Sequence, residues 1–451
     1  MKRRKLHNYV QDLRGNIRVC VRIRPFLHQD AGENESVDDL LPALENNVDG
    51  KSLMLLEVPT RGTKEKISTK EASAMNFSFD NVFGPKATQK DVFNEVSELV
   101  QSALDGFNVC LFSYGQTGSG KTHTMQGSGS GEEAGLIPQS VLQILETIRK
   151  LNRQGWQYTL EASFLEIYNE NLRDLLSDEE TDSNSLSIVH QEDRTDVLGL
   201  EKVPISNASE VRDLLLKAAR NRSTGKTNMN ELSSRSHSVF TLYLRGEHEQ
   251  KGICVNGNLN LCDLAGSERL DRSCAEGQRL KETQNINKSL SCLADVFTSL
   301  AKNASHVPFR NSKLTYLLQP CFKGNGKTMM LVNVSPTIES ASETLCSLRF
   351  AQQVSQVHLG QAKKRITSTS VPGTEQVNSN GKGNAAQSKK PAGMSATSNS
   401  RKYATISTSK PKTPRNSSLS KTTPAKRGVT RGGSSSLPKG AMSSQSKRAR
   451  M

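Results

Sequence analysis

Tryptophan is almost missing from this chain, with one in 451 residues, and aromatic residues together make up 5%. A core so poor in large rings has to be filled by aliphatic side chains. No stretch of about eighteen apolar residues occurs, which excludes a membrane-spanning helix on sequence grounds. No leader opens the chain, so a soluble protein in a reducing compartment is expected. The eight cysteines are scattered without a C-x-x-C pair, and the eight histidines show no ligand spacing. Both facts argue against a zinc centre or a disulfide framework. Acidic residues are missing from one end. Residues 361–451 hold 19 of the 60 Lys and Arg but one of the 45 acids, Glu375. Residues 1–360 are therefore close to neutral and long enough for one large core.

The basic end is built of Ser, Thr, Gly, Pro, Lys and Arg with little to bury, so disorder is expected there. It reads either as a solubilising linker or as an electrostatic arm for a polyanion, and the lopsided charge favours the arm. Thr413-Pro414 and Thr423-Pro424 offer proline-directed phosphorylation sites, although Thr-Pro is also ordinary disordered composition. Lys447-Arg448-Ala449-Arg450 is a nuclear-import candidate of little specificity in so basic a tail.

What the chain does have is centred on residues 107–122, FNVCLFSYGQTGSGKT. Val109 to Phe112 read as a buried strand of a parallel sheet. It breaks into Gly115-Gln116-Thr117-Gly118-Ser119-Gly120-Lys121-Thr122, the G-x-x-x-x-G-K-[ST] pattern of a phosphate loop. Glycines let successive N–H groups turn inward on phosphate oxygens, and the following helix aims its positive end at the same charge. Lys121 reaches the outer phosphates and the Thr122 hydroxyl suits Mg²⁺. A nucleoside triphosphate with Mg²⁺ is the expected ligand.

Along the chain, Leu6, Val10, Leu13 and Ile17 have the rhythm of a short amphipathic helix over residues 1–14 that Gly15 ends. Asn16 to Arg24 alternate as a strand that Pro25 stops. Residues 28–70 read as a surface excursion with a hairpin, and 88–104 as a helix. Residues 158–168 are a strand, 169–176 a helix, and 177–196 an acidic loop. Then follow a helix over 208–222 and strands over 238–245 and 257–262. This alternation predicts an α/β fold, a mixed central sheet of the P-loop NTPase type with helices on both faces.

Two polar stretches flank the later strands. Asn230-Glu231-Leu232-Ser233-Ser234-Arg235-Ser236-His237 packs hydroxyls beside an arginine, which suits a loop around a Mg²⁺-phosphate or, equally, a polar turn. Asp263-Leu264-Ala265-Gly266-Ser267-Glu268 places an acid at the end of an apolar strand, as a Walker-B aspartate is placed. Gly266 admits a backbone N–H to a γ-phosphate, and hydrolysis removes that partner, so the loop has two states. Arg235 and Glu268 have opposite charges that can close over the attacking water.

With Tyr114-GQTGSGKTHTM, Asn230-ELSSRSH, Asp263-LAGSE, Asn285-INKSL and His306-VPFRNSKLTYLLQ in this order, residues 16–358 resemble the kinesin motor domain. Residues 3–16 resemble the neck of kinesin-14, whose motor follows its coiled coil and is minus-end directed. The resemblance implies a neck helix over 1–15, a motor over 16–358 and a disordered basic tail over 359–451. It implies that Lys121, Ser234, Arg235, Glu268 and Asn287 carry catalysis, with Thr122, Ser234 and Asp263 around Mg²⁺. It places Gly115, Gln116, Thr117, Gly118, Ser119, Gly120, Lys121, Thr122 and Gly266 on the phosphates. Around the adenine it places Arg22, Arg24, Pro25 and His123, with Phe107 where the family usually has tyrosine. Residues 282–302, opened by Glu282, match the relay helix, and Ala294 departs from the usual glycine. Arg269, Arg272, Lys281, Arg310 and Lys313 fall where family members meet tubulin. Charge alone reads these five as a basic face or as solvated loop.

The resulting expectation is a microtubule-stimulated ATPase, using ATP with Mg²⁺, of cytoplasm and cytoskeleton, with spindle microtubules among its tracks. It has no membrane partner, and a nucleic acid is not expected. A homo- or heterodimer would form through a coiled coil upstream of this chain. The alternatives are a non-stepping microtubule tether gripping through its basic tail, and a nucleic-acid-dependent ATPase.

Overall fold

The computed structural model describes residues 9–10, 14–31, 36–56, 74–129, 131–178, 186–191, 194–224, 232–269, 278–323, 326–360 and 362–368. The chain divides into two units, Met1–Glu375 and Gln376–Met451. The second unit lies wholly outside the described residues, and with it nearly all of the expected basic tail. Most of the expected neck helix also falls outside them.

A ten-stranded sheet runs through the first unit. Its strands are β1 (Ile17–Ile23), β2 (Asn81–Phe83), β3 (Asn108–Tyr114), β4 (Gln157–Tyr168) and β5 (Asn171–Asp174), followed by β6 (Val203–Pro204), β7 (His237–His248), β8 (Ile253–Asp263), β9 (Gly326–Val334) and β10 (Arg365–Ser368). They lie in the order β6-β4-β7-β8-β3-β9-β1-β2, with β5 on β4 and β10 on β8. β3 is central and parallel to both neighbours, β8 and β9. The β4-β7-β8 block is antiparallel, so the sheet is mixed as expected.

The helices are α1 (Gln89–Leu104), α2 (Lys121–Met125), α3 (Leu136–Asn152), α4 (Ala208–Thr224), α5 (Leu232–Arg235), α6 (Gln278–Ala301), α7 (Lys313–Leu317), α8 (Gln319–Phe322) and α9 (Ala341–Ser355). Strand alternation assigns them to two faces. Val109 and Leu111 of β3 belong to one apolar cluster, with α1, α3 and α4. Cys110 and Phe112 belong to the other, with α6, α7, α8 and α9. A strand buried on both sides needs such an unbroken apolar run. α1 shows how local sequence sets an end. Thr88 and Asp91 form a capping box, after which Val92, Val96, Leu99, Val100 and Ala103 form the buried stripe.

Two elements differ from expectation. Residues 169–176 were expected as a helix, but 171–174 form β5, hairpinned onto β4 through Asn169 and Glu170 at positive φ, 52° and 61°. The apolar residues of NLRDLL fit either period over so short a stretch, and pairing along β4 decides. The expected acidic loop 177–196 contains an antiparallel pair, Ser187–Gln191 with Arg194–Leu198. The excursion after β1 contains the expected hairpin, Leu44–Asn46 with Ser52–Leu56, extended by Ala74–Ser78. Ala294 of α6, in place of a glycine, packs half-buried against the apolar cluster on that face of the sheet.

At the chain's entry, Arg14 pairs with Glu98 of α1 at 3.0 Å. The Asn16 side-chain amide donates to the Gly360 carbonyl. Beyond Gly360 the chain returns as β10, which pairs with β8 at Ile253 to Asn256, just before β3 takes over that edge at Asn258.

Candidate nucleotide and switch site

β3 ends at Tyr114, and the loop beyond it closes onto α2 with Gly115, Gly118 and Gly120 all at positive φ, 148°, 78° and 93°. Glycine adopts these angles without strain. At Gly115 a side chain is also excluded by space, since a Cβ would collide with the Asn333 carbonyl of β9. Asn333 in turn donates to Thr124 Oγ1 at 2.8 Å, so the neighbouring strand holds the loop's root. Lys121, 7% exposed, donates to the carbonyls of Gly115 and Gln116, both at 2.9 Å. Burial lowers its pKa, the carboxylates of Asp263 and Glu268 push it back up, and Arg222 lowers it.

Two of the three expected metal donors, Thr122 and Asp263, meet. Asp263 ends β8 beside β3, 3% exposed, and accepts from Thr122 Oγ1 at 2.6 Å and Ser113 Oγ at 3.2 Å. Hard oxygen donors beside a phosphate loop fit Mg²⁺, which is held by few protein ligands and by substrate phosphates. Ser113 was not singled out from the sequence. Its only signal there is its place on β3, in register with Asp263.

The two switch loops are joined to each other and to the phosphate loop. Gly266 N–H donates to the Ser234 carbonyl at 2.7 Å, and Ser267 N–H to the Gly115 carbonyl at 3.1 Å. A Cβ at Gly266 would overlap the Glu268 carboxylate and stand 2.5 Å from Thr117 Oγ1. The expected Arg235–Glu268 pair is not what holds Glu268 in this structure. Glu268 accepts from Thr117 N–H at 2.9 Å and Thr117 Oγ1 at 2.6 Å, and is held by the phosphate loop rather than by Arg235. Two short bonds to one residue satisfy both carboxylate oxygens at once. Arg235 ends α5, half-buried, and Asn287 lies half-buried on α6. Asn230 and Glu231 lie outside the described residues.

Behind the first switch is a buried network that sequence reasoning missed. Arg222, at the end of α4, donates to Ser236 Oγ at 2.9 Å and to the Ser236 carbonyl at 3.0 Å. It also pairs at 3.4 Å with Glu166 of β4, whose side chain is 2% exposed. His237 follows directly and joins Ala265 to Ser289, and no spacing in the sequence signals either contact.

The expected adenine contacts divide. Arg24, Pro25 and His123 stand at the loop's exit. Arg24 is engaged with Asp30 at 2.5 and 2.8 Å, and the Gly120 Cβ position lies 3.9 Å from Arg24 Cβ. The His123 ring stays accessible, 3.5 Å from Glu133. Arg22 is instead a buried brace, donating to Gln89 Oε1 at 2.8 Å and Thr124 Oγ1 at 2.9 Å. Phe107 precedes β3, whereas the phosphate loop follows it. Lys327 and Lys364 stand over the Phe107 ring at 4.3 and 5.2 Å. Arg22 and Phe107 are both buried.

Of the expected tubulin-facing residues, Arg310 and Lys313 flank Ser312, which caps α7. Lys313 N–H donates to Glu170 Oε2 at 2.8 Å. Arg269 is exposed and reaches Cys346 Sγ on α9 at 2.9 Å. Arg272 and the Lys281 and Glu282 side chains lie outside the described residues.

Comparison with known proteins agrees with this geometry. A family model described as the kinesin motor domain matches residues 22–357. Kinesin-like protein klpA of Emericella nidulans is 51% identical over 370 residues, covering 80% of this chain and 46% of that protein. Kinesin-like protein KIN-14N of Oryza sativa subsp. japonica is 50% identical over 365 residues, 79% of this chain and 45% of that protein. The chain thus spans about half the length of the curated relatives it matches. Among solved structures, the motor domain of the Saccharomyces cerevisiae kinesin-related protein Kar3 is 44% identical with a TM-score of 0.63. The match covers 75% of this chain and 99% of that one.

Proposed function

The chain belongs to the kinesin motor family, and from that premise we propose that it is a microtubule-activated ATPase of the kinesin-14 type. The motor would span 16–358, after a neck helix at 1–15 and before a basic tail at 359–451. Hydrolysis of ATP would drive minus-end-directed movement or crosslinking along microtubules, on the cytoskeleton and the spindle. Dimerisation would use a coiled coil continuous with the neck. The observation that carries this reading is the meeting of three loops at the ends of β3 and β8. Thr122 bonds Asp263, Ser267 bonds Gly115, and Gly266 bonds Ser234, all within one hydrogen-bonded cluster.

Phosphoryl transfer asks the protein for position and electrostatics more than for covalent chemistry. The loop N–H groups and Lys121 would orient the triphosphate and offset its charge. Thr122, Ser234 and Asp263 would hold Mg²⁺, which neutralises charge developing on the phosphates. Gly266, free of a side chain, would bring its N–H to the γ-phosphate. Glu268 would leave Thr117 to meet Arg235 when both switches close. Loss of the γ-phosphate would release these contacts, and α6 would pass the change to the surface carrying Arg310 and Lys313.

The test is ATP turnover with and without polymerised tubulin, joined to gliding on polarity-marked microtubules. Stimulation with directed gliding is expected. Static attachment would replace the motor by a tether, and stimulation by DNA or RNA alone would reject both.

A further inference from the structure

The first switch, the second switch and the relay helix meet at one buried side chain. His237 opens β7 directly after the first switch, with its imidazole 3% exposed. The backbone N–H of Ala265, in the second switch, donates to its Nδ1 at 3.0 Å, so that nitrogen carries no proton. The proton of the neutral ring is therefore on Nε2, which donates to Ser289 Oγ on α6 at 2.6 Å. The Ser289 hydroxyl donates onward to the Ile286 carbonyl at 2.7 Å. One directed chain thus runs from the backbone of the second switch, through the ring, to the backbone of α6.

We propose that His237 is a positioning residue of the motor cycle, holding Ser289, and with it α6, in step with the second switch. The inference rests on the motor reading above and assigns its coupling to a named bond. Ala265 is followed by the three residues that grip Ser234, Gly115 and Thr117. A change at the phosphate that moves Gly266 therefore moves the Ala265 N–H away from the ring. The buried imidazole must follow or lose a partner, and an orphaned buried acceptor is costly. Either way the change reaches Ser289. The same face of α6 faces the other direction too. Asn285, one turn before Ser289, donates to Asn169 at the β4–β5 turn, and the neighbouring Glu170 holds the N–H of Lys313. The polar contacts of α6 therefore link the switches at Ser289 to the first residue of α7 through Asn285.

Ser289→Ala removes the acceptor without touching the nucleotide site. In the full chain, basal ATP turnover is expected to stay at the parental value. The ratio of microtubule affinities, measured with a non-hydrolysable triphosphate and with ADP, is expected to shrink about fivefold or more, the lower end of coupling between distant sites. Ser289→Thr, which keeps the hydroxyl, should restore the parental ratio. Ser289→Cys fills the same space with a weak acceptor and replaces Ala if Ala lowers the melting point, and the same loss is expected. An unchanged ratio in Ala or Cys reduces His237 to a core staple and overturns the inference. A parental chain that polymer does not stimulate removes the motor reading and this inference with it.

Discussion

Glu268 of the second switch and Lys121 of the phosphate loop face one site with different tasks. Lys121 supplies a buried cation that meets the loop carbonyls. Two charge-assisted hydrogen bonds at about 1.5–3 kcal/mol each are at stake in the bound state. Lys121→Ala should therefore weaken ATP binding by about a hundredfold or more, read by equilibrium titration with a fluorescent nucleotide. Glu268→Ala should leave binding near parental but lower kcat by on the order of 10²–10³, the usual loss for a group needed mainly in the transition state. Parental turnover in that variant would refute the closing-switch account. His237 gives a pH signature. Burial, with Arg222 and Lys121, holds its pKa down at about 3, against about 6.5 in an unfolded chain. Between those values the unfolded state binds the extra proton. The stability due to a neutral His237 is complete above about pH 6.5 and falls by about 1.4 kcal/mol per unit as pH drops through the window. Denaturant titrations from pH 7 to 5 should show His237→Gln losing less stability on acidification than the parent.

At the scale of elements, α1 lies so close to β8 that a Cβ on Gly257 would run into the Ala103 carbonyl. Gly257→Ala must push the helix off the sheet or bend the strand, an overpacking cost of about 1–3 kcal/mol. Thermal unfolding should register it as a lower midpoint, with nucleotide affinity below that midpoint little changed. α6 shows the opposite relation between element and sequence. It buries Ile286, Leu290, Leu293, Val296 and Phe297 in a regular stripe, so its existence is periodic and readable. Its polar clasps at Asn285 and Ser289 name no partner in the sequence, because their partners come from the β4–β5 turn and from β7. β5 belongs with them: a short ambiguous stretch becomes a strand once β4 offers an unpaired edge.

For the whole molecule, charge separation is the dominant feature. Residues 376–451 carry 16 Lys and Arg and no acid, while the body is nearly neutral. Removing this segment should leave basal ATPase unchanged. It should weaken microtubule binding most at low salt, since a segment of such net positive charge acts through screened Coulomb attraction. Cosedimentation with polymer across a salt series checks this. Equal affinity and an equal salt slope with and without the segment would return it to a passive linker.

Local grammar was enough for the phosphate loop, the Walker-type aspartate, α1, α4 and the long strands β7 and β8. In each, a fixed spacing or a sustained period carries the signal within one segment. The same grammar did not register the burial of Arg22 and Phe107, the hold of Thr117 on Glu268, or the contacts of Ser113, Arg222 and Ser289. Those roles depend on which side chains the sheet order β7-β8-β3-β9 places side by side, across gaps such as the 150 residues between Ser113 and Asp263. Sequence determined that this chain folds around a triphosphate site. Tertiary structure alone decided which groups answer one another there, because a hydrogen bond is fixed by distance and direction in space, and neither is written in the linear order of residues.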